Sequence, residues 1–330
     1  MPRMTTRRVF ALIALAALVA CALGVLAGSS GFGIASSEIV WSIRVPRVLA
    51  GFGAGAALAL SGALMQLLTR NALADPYVLG VAGGASVGAL GAMLAAGVFG
   101  MQLSEWGIAL GAAAGASAAS GLLFGLLWRR LGQVQSSQPP AQSSAALLLV
   151  GVMIGSGCSA IVSLILSLAD EGQLRGMVFW LLGDLNGATR WEIVWIAVAL
   201  ALAMVWPSAR QLDWLARSDA WAATLGVPVA RRRRAVLFAA ALATGAAVAT
   251  AGAIGFVGLV VPHALRLLGI RAAPLLLPAS AIGGGAFVVA VDAIARTVVA
   301  PLQLPVGVLA AAIGVPTFIA MLLRRPAAAR

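Results

Sequence analysis

The sequence predicts an all-α polytopic membrane protein with about ten transmembrane helices and both termini on the inner side. Three observations carry this expectation. Of 330 residues, 62% are hydrophobic and only 10% are charged, with a mean hydropathy of +1.02. A soluble domain is about 45–50% apolar and about 25% charged, so this composition belongs in lipid. The apolar residues also come in runs of roughly 20, the length that crosses a hydrocarbon core of about 30 Å as a helix. Finally, the arginines divide unequally between alternate loops, as the positive-inside rule requires of a spanning chain.

The runs fall at 9–28, 48–68, 77–99, 106–128, 145–167, 191–209, 235–251, 253–268, 274–295 and 306–323. Arg7-Arg8-Val9-Phe10 and Leu18-Val19-Ala20-Cys21 resemble export and lipoprotein signals. A processed soluble domain should follow such a signal, yet the next 300 residues are again apolar, so the first run is expected to stay as a helix. With the N-terminus inside, 17 of the 22 Arg lie on the inner side and five on the outer side. The inner side then sums to +14 and the outer side to −2, which sets the orientation. Glycines four apart, at Gly51/Gly55, Gly80/Gly84/Gly88, Gly111/Gly115, Gly121/Gly125 and Gly151/Gly155, predict helices packed backbone to backbone. The polar stretch 132–144, with Pro139-Pro140, reads as an inner loop. In the longest inner loop, 212–234, Ser218-Asp219 can start a short helix that continues to Leu225 and ends at Gly226 and Pro228. The whole chain, 1–330, reads as one transmembrane domain.

Composition excludes several function classes. The chain has no Lys, so it cannot contain a Walker A loop and is not itself a P-loop ATPase. One His (His263) and two distant Cys (Cys21 and Cys158) support neither a zinc site nor a disulfide framework, and no bound cofactor or metal is expected. No charged residue falls in the middle of a run, which disfavours an ion-coupled carrier. The basic residues occupy inner loops rather than one soluble face, which argues against nucleic acid as a partner. What remains is a translocation path driven by a partner. Met65 and Met153 could line it, although Met on a span is more often packing.

Three segments stand out. Arg44-Val45-Pro46-Arg47 lies on the outer side, where Arg is the minority. The pair could receive a partner's carboxylates in bidentate bonds, or it could simply snorkel at a helix mouth. Arg70-Asn71-Ala72-Leu73-Ala74-Asp75-Pro76 suits a tight inner turn in which Asp75-Pro76 opens the next helix. The short helix after Ser218 is either a docking element for a cytoplasmic partner or part of an ordinary basic loop.

Six stretches together make a resemblance. They are R-V-P-R (44–47), S-G-A-L-M-Q (61–66), R-N-A-L-A-D-P-Y-V-L-G (70–80), F-W-L-L-G-D-L-N-G-A-T (179–189), G-F-V-G-L-V-V-P-H-A-L-R (255–266) and L-P-V-G-V-L (304–309). In this order they resemble the FecCD-type permeases of ABC importers for iron siderophores, haem and cobalamin. Ala72 departs from the family's usual Pro.

The resemblance implies a type II ABC importer permease fold with cytoplasmic termini in a bacterial inner membrane. It implies a homodimer with the path between the copies, two cytoplasmic ATPase subunits that carry ATP and Mg, and a periplasmic substrate-binding protein. It places binding-protein docking at Arg44, Arg47 and Arg296. It places ATPase coupling at Ser218, Asp219, Ala222, Ala223, Leu225 and Gly226, and an inner gate near Ser143, Ser144 and Ala145. His263 then belongs to the family's V-P-H pattern rather than to a haem site. The expected cargo is a bulky metal chelate, a ferric siderophore or haem, with cobalamin as the alternative.

Overall fold

Runs of Ala, Leu, Val and Gly fold as helices in lipid because only a helix satisfies every backbone N–H and C=O within one segment. The computed structural model describes residues 6–28, 31–32, 36–101, 103–132, 140–188 and 190–323. The first helix, α1 (Thr6–Leu26), ends in a two-residue antiparallel pairing of Ala27–Gly28 with Gly31–Phe32. α2 (Ser37–Ile39) runs through one π-helical turn, Val40–Arg44, into α3 (Val45–Thr69), with Pro46 in the first turn of α3, where its missing N–H costs nothing. A 3₁₀ turn at Pro76–Leu79 leads to α4 (Val81–Val98), followed by α5 (Glu105–Gly132), α6 (Pro140–Leu168) and α7 (Glu171–Leu181). Then come α8 (Trp191–Val205), α9 (Ala209–Arg217), α10 (Asp219–Thr224) and α11 (Val229–Ala251). The chain closes with α12 (Val257–Leu267), α13 (Ala273–Thr297) and α14 (Val306–Leu323).

α3 is the axis of the fold. Almost all of it is buried, and α8, α11, α12 and α13 pack around it. Its sequence explains this position: Ala50, Ala54, Ala57, Gly51, Gly55 and Gly62 give it a thin surface on all sides. Lipid tails are as apolar as leucine, so helices associate through close packing and hydrogen bonds rather than through expulsion of water. A Cβ on Gly55 would strike the carbonyl of Gly284, and one on Gly62 would strike the carbonyl of Gly258. Gly84 and Gly88 of α4 meet Gly111 and Gly115 of α5 in the same way. Gly121 and Gly125 differ from expectation, since a Cβ on either would meet no atom of another helix among the described residues within 4 Å. Ser61 adds a polar tie, bonding Thr244 at 2.8 Å and the Ala240 carbonyl at 2.9 Å, worth roughly 0.6 kcal/mol for a typical bond of this kind.

Among the described residues, nine helices are long and apolar enough to cross a membrane, and α12 is a shorter apolar helix beside them. The expected helix over 253–268 is thereby corrected. Gly252 and Phe256 both adopt positive φ, at 66° and 67°, and helix begins only at Val257. Gly258 backs directly onto Gly62, deep along α3, and residues 253–255, between the last bond of α11 at Gly252 and the first of α12 at Phe256, run without helical hydrogen bonds. Such backbone persists at membrane depth only where protein covers it. Here Gly307 of α14 packs on the Leu182 and Ala253 carbonyls, and its N–H reaches the Gly183 carbonyl at 3.2 Å. α7 is a second departure, a helix in a segment read as an outer loop.

Candidate functional site

The outer ends of α3 and α13 carry the first cluster. Arg47 lies one turn inside α3, and Asp292 and Arg296 are four apart on α13, hence on one face of that helix. Arg47 donates from Nη2 to Asp292 at 2.8 Å and from Nε at 3.1 Å, a two-pronged pair. Its Nη1 donates to Asn186 at 2.6 Å and Gln303 at 2.9 Å, which ties the loops before α8 and α14 to α3. Arg296 bonds the other oxygen of Asp292 at 2.9 Å. It also reaches the Gly24 and Ala27 carbonyls, at 2.9 and 2.8 Å. Arg44 donates to the Val25 and Leu26 carbonyls at 2.9 and 3.1 Å. Two guanidinium groups therefore cap the C-terminal carbonyls of α1, where helix partial charge favours a cation.

Arg44, Arg47 and Arg296, expected as a receiving surface for a partner, are held here in a network of this chain's own groups. They are 8%, 7% and 3% exposed, and their donors turn onto this chain's own acceptors. A partner's carboxylate would have to displace Asp292 or the helix carbonyls. Asn186 and Gln303 were missed by sequence reasoning, which offers no signal linking residues so far apart. The four-residue spacing of Asp292 and Arg296 was the visible clue to their ion pair.

The inner end carries the second cluster. α3 stops at Arg70, which adopts the left-handed conformation (φ 54°) that ends many helices. Its side chain donates to the Leu215 carbonyl at 2.8 Å and to Asp219 Oδ1 at 2.6 Å. Arg233, from the first turns of α11, bonds Asp219 Oδ2. Asp219 thus joins α3, α10 and α11 through one buried carboxylate. Ser218 caps α10, accepting from the Trp221 N–H at 3.4 Å, as the sequence predicted. Below it, Leu215, Ala222, Val227 and Val229 form a small core of their own.

The six expected coupling residues consequently divide. Asp219 and Ala222 are buried and hold the loop, whereas Leu225 (48% exposed) and Gly226 face outward. Ser218 and Ala223 lie between these extremes, and Trp221 (42% exposed), which sequence reasoning did not single out, joins the outward face. Nearby, Asp75 accepts from the Tyr77 N–H at 2.8 Å and opens the 3₁₀ turn. Burial pushes its carboxyl up to about 6, and the Tyr77 N–H only partly opposes this.

α6 is the span least covered by its own chain, and Ser156, Gly157, Ser159, Ala160 and Ser163 lie exposed along it. Met153 is also exposed there, while Met65 is wholly buried in the core of α3. The side chains of Ser143, Ser144 and Ala145, at the inner start of α6, lie outside the described residues. His263 meets Phe318 edge-on, with ring centroids 5.7 Å apart, and this contact ties α12 to α14.

Comparison with known proteins agrees with this architecture. The family model described as the FecCD transport family matches residues 9–324. Vitamin B12 import system permease proteins BtuC from Salmonella paratyphi A and Salmonella typhi are 38% identical over 288 residues, covering 86% of this chain and 83% of theirs. A solved structure described as an inward-facing conformation of a metal-chelate type ABC transporter superposes with a TM-score of 0.81. It is 26% identical and covers 97% of this chain and 100% of its own. PsaBC from Streptococcus pneumoniae, at 14% identity and TM-score 0.54, shares the fold over 88% of this chain and 93% of its own. The family match over residues 9–324, with 38% identity to these permeases over most of both chains, makes this chain a member of the FecCD transport family.

Proposed function

We propose that this chain is the permease subunit of an ATP-driven importer, working as a homodimer in a bacterial inner membrane and moving a bulky metal chelate inward. The observation that carries this is the family match over residues 9–324. The chain lacks any Lys and so cannot supply a Walker A loop, which supports a reading in which two cytoplasmic ATPase subunits would carry ATP and Mg. Trp221, Leu225 and Gly226 form the outward tip that would seat in the ATPase. The Asp219 ion cluster gives that tip a rigid hold on α3 and α11, so nucleotide-driven closure of the ATPases would tilt both helices together. α6, open along its small residues, would face the second copy and the path, with an inner gate at Ser143, Ser144 and Ala145. A periplasmic binding protein would deliver the cargo to the outer face.

A wide path without fixed charge suits a cargo handed over and released rather than gripped. Ferric siderophores and haem fit this class, and so does cobalamin, itself a corrin chelate of cobalt. The identity with vitamin B12 permeases favours cobalamin as the second reading. Co-purification of the full chain from its host in mild detergent tests the assembly. A stoichiometric ATPase with a Walker A loop is the expected companion, and repeated recovery of the chain alone would overturn the proposal. Binding of haem, ferric siderophores and cobalamin to the co-encoded periplasmic protein then selects the cargo.

A further inference from the structure

A cleft of about 650 Å³ opens sideways between α5 and α8, with α11 as its back wall. Leu110, Ile196 and Leu200 stand exposed along its sides. Phe124 and Phe238 line its deep end, with ring centroids 6.4 Å apart. Along α11 it runs from Thr250 to Phe238, about 18 Å at 1.5 Å per residue. One leaflet of hydrocarbon is about 15 Å deep, half of a core of about 30 Å.

Charge is gathered at the mouth. Arg190 lies over the Trp106 ring with its guanidinium carbon 4.5 Å from the ring centroid, and Glu105 lies next to Trp106. Stacking uses the face of the guanidinium and leaves its N–H edge for an acceptor. All three residues sit at the outer ends of their helices, where Trp is at home at the level of the headgroups. A slot one leaflet long, largely apolar along its walls and bearing Arg190 with the carboxylates Glu105 and Asp184 at its mouth suits a lipid whose headgroup carries both a phosphate and an ammonium. A protein helix would need complementary ridges along its whole length, and here the charged groups are gathered at one end while the Ser117 and Ser120 hydroxyls bond carbonyls of their own helix.

We propose that this cleft is a specific site for phosphatidylethanolamine of the outer leaflet, with one acyl chain between α5 and α8, the phosphate on Arg190 and the ammonium on Glu105. The inference uses the membrane orientation of the chain and is independent of its cargo.

The full chain, purified in mild detergent and exchanged into nanodiscs of defined lipid, tests this by mass spectrometry of the lipid retained after stringent washing. The expected result is about one phosphatidylethanolamine per chain, with phosphatidylglycerol and phosphatidylcholine retained at least fivefold less. Ser117→Trp, which fills the slot from α5, should abolish retention. The surface pair Arg190→Gln and Glu105→Gln should reduce it at least fivefold without entering the packed interior, and so keeps the test decisive if Ser117→Trp fails to fold. A photocrosslinker replacing Leu110 should capture lipid. No retained lipid, equal retention of all three headgroups, retention unchanged in the variants, or crosslinks into a second protein chain would each overturn the proposal.

Discussion

Replacing Asp219 with Asn removes one charge from the inner cluster and nearly nothing else. Asn keeps the shape of the side chain, and Ser218 still caps α10. Two arginines, Arg70 and Arg233, are then left side by side with the Leu215 carbonyl as the remaining acceptor named for Arg70. Removing one partner of a buried pair costs about 3–5 kcal/mol, mainly through the cation left behind. The Arg70 side chain is 18% exposed, so some of its charge returns to water and the lower end, about 3 kcal/mol, is expected. In a thermal unfolding scan of the full complex in detergent, this corresponds to a midpoint lowered by roughly 5–10 °C. Function should suffer in a distinct way. ATP hydrolysis should continue while uptake into proteoliposomes falls, because α10 no longer moves α3 and α11 as one piece. Adding Arg70→Gln to Asp219→Asn removes one of the stranded cations and should recover part of the stability, a coupling that a double-mutant cycle measures directly. An Asp219→Asn protein within 1 kcal/mol of the parent, or a double variant no better than the single one, would refute the reasoning.

Other expectations follow from single sites. Arg47→Glu places a second carboxylate against Asp292 and should destabilise the chain by about 3 kcal/mol or more with no binding protein present, whereas a residue serving only in docking would leave thermal stability unchanged. Gly88→Val forces a side chain into the Gly111 carbonyl and should cost roughly 1–3 kcal/mol, while Gly121→Ala, in open space, should stay within about 0.5 kcal/mol of the parent. Leu225→Glu, at an exposed tip, should leave the membrane dimer intact and release the ATPase on size-exclusion chromatography; retained ATPase would remove Leu225 from the contact. Asp75 has a carboxyl raised from 3.8 to about 6, so the folded protein binds more protons than the unfolded chain between those values. Its contribution to stability therefore falls as pH rises from about 4 to about 6 and is level above that, and Asp75→Asn, which keeps the cap acceptor, should flatten unfolding midpoints across this window.

The spans were legible because lipid imposes a simple rule, and uninterrupted Ala, Leu and Val over the width of a bilayer leave a helix as the only outcome. The helix after Ser218 was legible from its cap and its terminating Gly226. The non-helical stretch at 252–256 was hidden, since Ala253, Ile254 and Phe256 are as apolar as any helical residue. Its neighbours, Trp180 to Gly183, Gly307 and Gly314, supply contacts that make broken backbone tolerable there. The direction of Arg44, Arg47 and Arg296 was hidden for a related reason. Their placement at an outer helix mouth was plain, but the carbonyls of α1 and the carboxylate of Asp292 reach them only through tertiary packing.

The central claim is that this chain moves a metal chelate only when partner subunits hydrolyse ATP. Its most direct test is uptake into proteoliposomes holding the chain with its co-purified ATPase, with loaded binding protein outside and nucleotide inside. Chelate should accumulate with ATP and Mg, stop with a non-hydrolysable analogue, and be absent when the chain is reconstituted alone. Accumulation by the chain alone, without nucleotide and abolished by collapsing an ion gradient, would contradict the claim and make the protein a secondary carrier.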